Sequence, residues 1–235
     1  MAGSQLLEDE FKDRDAMGLQ PQTEKTQTEE QELCKYFKML VVAMPIAGQV
    51  FAWSSYLILT KLLGMEAALN TKFAFIHEHE LGYVFLAVWL VGYTRAVIVT
   101  NANAARAPAR VDRPDQHVYK VMAASGPLKD APYVMMAGTG PQGRFNRAQR
   151  GVINTDEALP LLVPAVVLTS SVFGPMIALL ILLWAYGRIT FAFKYKESTK
   201  ARVAGFLPAV VAEKWIDGLV LLCAIKGIFY THIAI

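Results

Sequence analysis

Arg150, Asn154 and Glu157 stand four and three residues apart, and Arg188, Tyr195 and Arg202 follow at steps of seven. Such spacing sets side chains on one side of a helix. The residue types suit a small anionic ligand with several hydrogen-bonding groups. An arginine fork matches a carboxylate bidentately, which lysine cannot do. A carboxylate such as Glu157 suits an ammonium, and Asn154 both donates and accepts. A fixed guanidinium also favours an anion formed beside it, by charge and hydrogen bonding.

Between the two groups, residues 158–187 carry no charge at all. Charges at the edge of a membrane-length apolar run are costly unless paired, solvated or functional. The pattern therefore marks a polar site at the mouth of a membrane helix bundle. Plainer readings stand beside it. Arg150, Asn154 and Glu157 could form a structural cluster that ties helix ends together. Arg202 could be one of several loop cations, Tyr195 an interface anchor, and Arg188 a snorkelling side chain.

Composition agrees with a membrane setting. Hydrophobic residues make up 54 % of the 235 residues and charged residues 18 %, apolar-rich and charge-poor against soluble domains. The net charge of +3 gives no case for a nucleic-acid partner. Two cysteines, Cys34 and Cys223, cannot make a disulfide framework. No metal site is expected: the run His77-Glu78-His79-Glu80 reads as a solvated loop, and His117 and His232 are isolated. No HExxH, GxGxxG or P-loop pattern occurs.

The elements that must position the polar residues follow from the apolar runs. Residues 1–36 form a polar tail, expected to be disordered alone, without the basic and apolar regions of a secretory signal. Residues 39–60 carry no charge and are long enough to cross a bilayer. A second run, 81–105, is interrupted only by Arg95. As one helix, 158–187 would be about 45 Å long, more than the roughly 30 Å hydrocarbon core. Gly174-Pro175 lies in its middle, and Gly suits a helix end while Pro suits the next first turn. The expectation is a tight hairpin of two spans. The five candidate spans are 39–62, 81–105, 147–173, 175–196 and 206–232. Glu213, Lys214, Asp217 and Lys226 make the last the least typical, with Glu213 and Asp217 on one side. Residues 106–143 form a long polar connection broken by five prolines. Eight Lys/Arg lie in 101–153 and four in 194–205, which places both loops, and the N-terminal tail, on the cytoplasmic, matrix or stromal side.

The segment Phe145-Asn146, Gln149-Arg150, Asn154-Thr155, Glu157 and Pro160 resembles the second-helix signature of a known family. The family is the membrane-associated proteins in eicosanoid and glutathione metabolism (MAPEG), and the likeness is greatest to type-3 microsomal glutathione transferases. Gly187-Arg188, Phe191, Ala192, Phe193 and Tyr195 resemble its third-helix segment, and Ala105-Arg106 with Arg110-Val111 the basic end of its first helix. The resemblance implies an all-α membrane protein: a four-helix transmembrane bundle over 81–235, with the helix at 37–64 as an N-terminal extra. It implies trimers with glutathione as co-substrate, bound between subunits near the cytoplasmic face. Arg106, Arg150, Asn154, Glu157, Arg188 and Tyr195 would hold the tripeptide, and Arg202 would activate its thiol. This chain departs from the pattern at Phe191, where active relatives often carry tyrosine, and at Val152 and Ala158.

Two functions are consistent with these residues. One is an integral membrane glutathione transferase or peroxidase acting on hydrophobic electrophiles or lipid hydroperoxides, in the endoplasmic reticulum or an organellar membrane, including the mitochondrial inner membrane. The other is a family fold with little or no activity, serving as an accessory subunit beside other membrane subunits. Membrane lipid is a partner in either.

Overall fold

The fold follows from where charge is absent and where glycine lets helices touch. The structure, a computed structural model, describes residues 19, 28–111, 116–121, 125–126, 129–130 and 134–228. Most of the polar tail, parts of the long connection and His232 lie outside the described residues.

Helix α1 (Glu29–Leu62) is continuous, with π turns at Phe37–Ala43 and Ile58–Leu62. It begins ten residues before the charge-free run because Thr28 and Gln31 close a reciprocal capping box. Helix α2 (Glu66–Glu78) follows a left-handed Gly64. Helix α3 (Gly82–Ala109) leads through a short antiparallel pair, β1 (Tyr119–Val121) and β2 (Val134–Met136), into helix α4 (Gly140–Glu197). Helix α5 (Val203–Ile228) is the last described element.

Helix α4 holds the hairpin that Gly174-Pro175 predicts. Its backbone leaves helical geometry at Phe173, with φ −124° and ψ 40°. The two arms run back to back: Arg147 donates to the Lys196 carbonyl at 3.0 Å, Arg188 donates to the Asn154 carbonyl, and Gly151 faces Ala192. At the turn, Gly174 abuts the Tyr83 ring at the start of α3. All the basic ends therefore gather at the opposite end.

Helices α1, α3 and α4 are long and apolar enough to cross a membrane. At 58 residues, about 87 Å of helix, α4 is long enough to cross twice. Helix α5 is not among them, since Glu213, Lys214 and Asp217 interrupt its apolar run. Its inner face is nonetheless buried: Ala209, Ala212 and Ile216 pack with Trp184 and Ile181 of α4. Helix α3 packs on α4, and the first turns of α1 pack on α3. Beyond Ala43 α1 leaves the bundle, so Phe51, Trp53 and Leu57 are exposed to the surroundings.

The close approach of α4 and α5 depends on glycine. A Cβ at Gly187 would stand 2.5 Å from the Ala209 nitrogen. One at Gly205 would stand 2.1 Å from the Phe191 nitrogen. Small residues permit such backbone contact between membrane helices.

The strand pair has no counterpart in the sequence reading, which treated 106–143 as a polar connection, and neither does helix α2, whose residues fall outside the five candidate spans. Tyr119 pairs with Met136 and Val121 with Val134. Strands this short are marginal alone, and Asn146 of α4 supplies what they lack. Its amide donates to the Val118 and Ala137 carbonyls at 2.8 and 2.9 Å, and its oxygen accepts from the Val118 nitrogen at 2.8 Å. Asn146→Ala is therefore expected to release the pair. Hydrogen exchange should lose protection at 118–121 and 134–137 while the α3 and α4 amides keep theirs. Three lost hydrogen bonds at about 1 kcal/mol each exceed the stability of an isolated hairpin.

Candidate functional site

A cavity of about 420 Å³ opens at the basic end, lined by Asn154, Arg188, Phe191, Arg202, Val203 and Phe206. Three elements meet there. The first arm of α4 supplies Asn154, the second arm supplies Arg188 and Phe191, and the turn into α5 supplies Arg202. The Gly187 and Gly205 contacts set the spacing of the last two walls.

Arg188 is nearly buried, with 12 % of its side chain exposed. One amino group donates to the Asn154 carbonyl at 3.3 Å, and the other to Glu213 Oε1 at 2.5 Å. Glu213 also accepts from the fully buried Trp184 indole at 2.8 Å. Arg202 lies over the Tyr195 ring, its guanidinium carbon 5.1 Å from the centroid. Tyr195 in turn meets Phe191, with ring centroids 5.4 Å apart. No carboxylate pairs with Arg202 among the described residues. The cavity thus offers one uncompensated guanidinium on an aromatic shelf, a second guanidinium fixed in an ion pair, an amide, and apolar walls.

The structure brings together Asn154, Arg188, Arg202 and, through its ring, Tyr195. It does not bring Arg106, Arg150 or Glu157 into this cavity. Arg150 and Glu157 bond each other two turns apart, at 3.1 and 3.4 Å, on the exposed face of α4. Arg106 lies over the Phe145 ring, 5.0 Å from its centroid. A further exposed pair, Arg95 with Asp156 at 2.7 and 2.9 Å, extends the polar face of α3 and α4.

Two residues that hold the Arg188 wall escaped the sequence reading: Trp184 and Glu213. Glu213 was expected only to share a side of its helix with Asp217. The available signal was Arg188 itself, a cation ending an apolar run and needing a counter-charge. The sequence does not say which acid on which helix supplies it.

An integral membrane helical bundle with a guanidinium-walled cavity at its basic end defines the class of this protein. The sequence model of the MAPEG family matches residues 81–213. That is more than half of the chain, and the chain belongs to the MAPEG family. The matched region begins at the foot of α3 and ends at Glu213, so α1 and α2 lie outside it. Comparison with curated proteins and with solved structures finds no match.

Proposed function

We propose that this protein is an integral membrane glutathione transferase or peroxidase that acts on hydrophobic electrophiles or lipid hydroperoxides. The observation that carries the reading is Arg202, a guanidinium with no carboxylate partner among the described residues, on the wall of a cavity that also presents Asn154, Arg188 and apolar side chains. Family membership supports glutathione as the thiol.

Arg202 beside the bound sulfur would favour the thiolate, as any fixed cation favours an anion formed next to it. In a transferase cycle the thiolate attacks the electrophilic carbon, a carbon–sulfur bond forms, and the leaving group departs with its electron pair. In a peroxidase cycle it attacks the terminal peroxide oxygen and releases the lipid alcohol. The resulting sulfenic acid condenses with a second thiol to give disulfide and water. The apolar walls at Phe191, Val203 and Phe206 suit the lipid-soluble reactant.

Arg150, Glu157 and Arg106 fit this reading as contacts supplied across a subunit boundary, because the Arg150–Glu157 and Arg95–Asp156 pairs make an outward polar face. Ion pairs on a lipid-facing surface are costly, which favours a homotrimer that covers them. An endoplasmic reticulum or organellar membrane fits the basic end and its positive loops.

The test is a purified sample in lipid nanodiscs, titrated with glutathione and assayed with an activated aryl chloride. Arg202→Ala is expected to lower kcat by roughly a hundredfold, the loss typical of one preorganised charge-stabilising donor. Its glutathione affinity should change far less. Wild-type protein that neither binds nor conjugates glutathione would reject the reading.

A second reading draws on a separate observation. Helices α1 and α2 lie outside the family region, and α1 diverges from the bundle with its apolar surface uncovered. With Phe191 lacking a hydroxyl, the same fold could serve as an accessory subunit. Fixed-stoichiometry co-purification with other membrane subunits would favour it, and glutathione turnover by the isolated protein would oppose it.

A further inference from the structure

The cavity's two arginines are held in different ways, and the difference assigns a role to Glu213. Its Oε1 accepts from both Arg188 and the Trp184 indole. Trp184 is fully buried in the core between α4 and α5, so the carboxylate is fixed by a group that cannot turn away. The second Arg188 amino group is fixed by the Asn154 carbonyl. These contacts tie both arms of α4 to α5 along one wall of the cavity.

A guanidinium carries five N–H donors, and these two contacts engage only its amino groups. The Nε–H of Arg188 is buried with no partner among the described residues. Each amino group keeps a second N–H and Arg188 lines the cavity, so donors remain for a ligand on a side chain that is already immobile. A free arginine would lose rotamer freedom on binding, and a clamped one has lost it beforehand. The clamp also neutralises Arg188, which leaves Arg202 as the uncompensated cation of the cavity wall.

From this geometry we infer that Glu213 is a positioning residue: locked by Trp184, it fixes Arg188 as a neutralised hydrogen-bonding wall against which the tripeptide docks. Arg202 is left to act on the sulfur. The inference rests on the glutathione reading above and adds a residue of α5 to the site.

The test uses the full chain in nanodiscs. Glu213→Gln keeps the side chain's length and an acceptor oxygen but removes the charge. The first readout needs no ligand: modification of Arg188 by an arginine-selective dicarbonyl, followed by mass spectrometry with exposed Arg150 as internal reference. Arg188 should react several-fold faster in the variant. The second readout is glutathione: Kd should rise about tenfold, the loss expected for a hydrogen bond to a charged group. The kcat at saturating glutathione should stay near wild type, the reverse of the Arg202→Ala pattern. A merely structural role would lower yield and heat stability without a selective change at Arg188. Should Glu213→Gln not accumulate, Glu213→Asp retracts the carboxylate while keeping its charge and should raise Arg188 reactivity in the same direction. Unchanged Arg188 reactivity overturns the inference. So does an unchanged Kd in a protein whose wild type binds glutathione. Wild-type protein that binds no glutathione rejects the functional reading, while the dicarbonyl rate still decides whether Glu213 holds Arg188.

Discussion

Gly205→Ala is expected to be the most damaging single methyl group that can be added to the described bundle. The new Cβ would lie 2.1 Å from the Phe191 nitrogen, 2.4 Å from the Gly187 carbonyl oxygen and 2.6 Å from the Phe191 Cα. All three are backbone atoms of the second arm of α4, so no side chain can swing aside. The helices must separate instead. Overpacking of a close-packed interior costs about 1–3 kcal/mol, occasionally more, and a clash with backbone places this one at the upper end. Separation also moves Arg202 and Val203 away from Arg188 and Phe191, since the Gly187 and Gly205 crossing sets the cavity's width. The variant should lose heat stability in detergent, read by the temperature at which monodisperse protein disappears, and should lose glutathione binding with it. Gly218→Ala in the same helix is the control: no atom lies within 4 Å of its added Cβ. That change should be neutral or stabilising, because alanine is favoured over glycine in a helix by about 1 kcal/mol. Equal behaviour of the two variants would mean that the crossing does not depend on glycine.

The helices were legible because membrane helices announce themselves by absence of charge. Residues 158–187 carry none, and Gly174-Pro175 divides them within one residue of the observed break at Phe173. Half of the site was legible for a related reason. Asn154, Arg188, Tyr195 and Arg202 lie at ends of apolar runs, where polar side chains have few uses. Their convergence at one cavity or its rim follows once the hairpin folds back. Shared-face spacing alone did not show that Arg150 and Glu157 satisfy each other on the outer face. Periodicity gives the direction of a side chain and leaves its partner open. The Arg188–Glu213 pair was hidden because it joins two helices, and sequence spacing carries no information on which acid crosses the gap. The strand pair was hidden because three-residue strands have no detectable alternation, and their stability comes from the Asn146 side chain of another element.

The beginning of α1 shows the same principle at the surface, and it yields a second large effect. Lys196 is almost wholly buried, with 4 % of its side chain exposed. Its ammonium meets Glu29 Oε1 at 2.6 Å and lies over the Phe193 ring. Glu29 also accepts from Arg144 at 2.7 and 3.1 Å, while Arg144 reaches on to Glu197. Two carboxylates thus face two cations, and Glu29, which touches both cations, ties α1 to both ends of α4. Removing one member of a buried pair leaves the other charge unmatched, at about 3 kcal/mol or more. Glu29→Lys would set a third cation there and should detach the first turns of α1. Hydrogen exchange at 29–36 would rise toward that of a free chain, with α3 and α4 amides unaffected. Lys196→Gln in the Glu29→Gln background should restore protection in part, since both charges then leave together. The pH dependence follows from Glu29, which precedes the charge-free segment of α1. Burial raises its pKa, but hydrogen bonds from Arg144 and Lys196 outweigh burial and hold it below its ordinary 4.5. A depressed carboxyl pKa contributes stability that is present above the ordinary value and is lost as pH falls through the folded one. The α1 contact should therefore be insensitive to pH near neutrality and loosen only in acid below that range. Glu29→Gln should reproduce the acid behaviour at neutral pH. Protection at 29–36 that survives both acid and Glu29→Gln would show that packing against α3, and not this carboxylate, holds α1 in place.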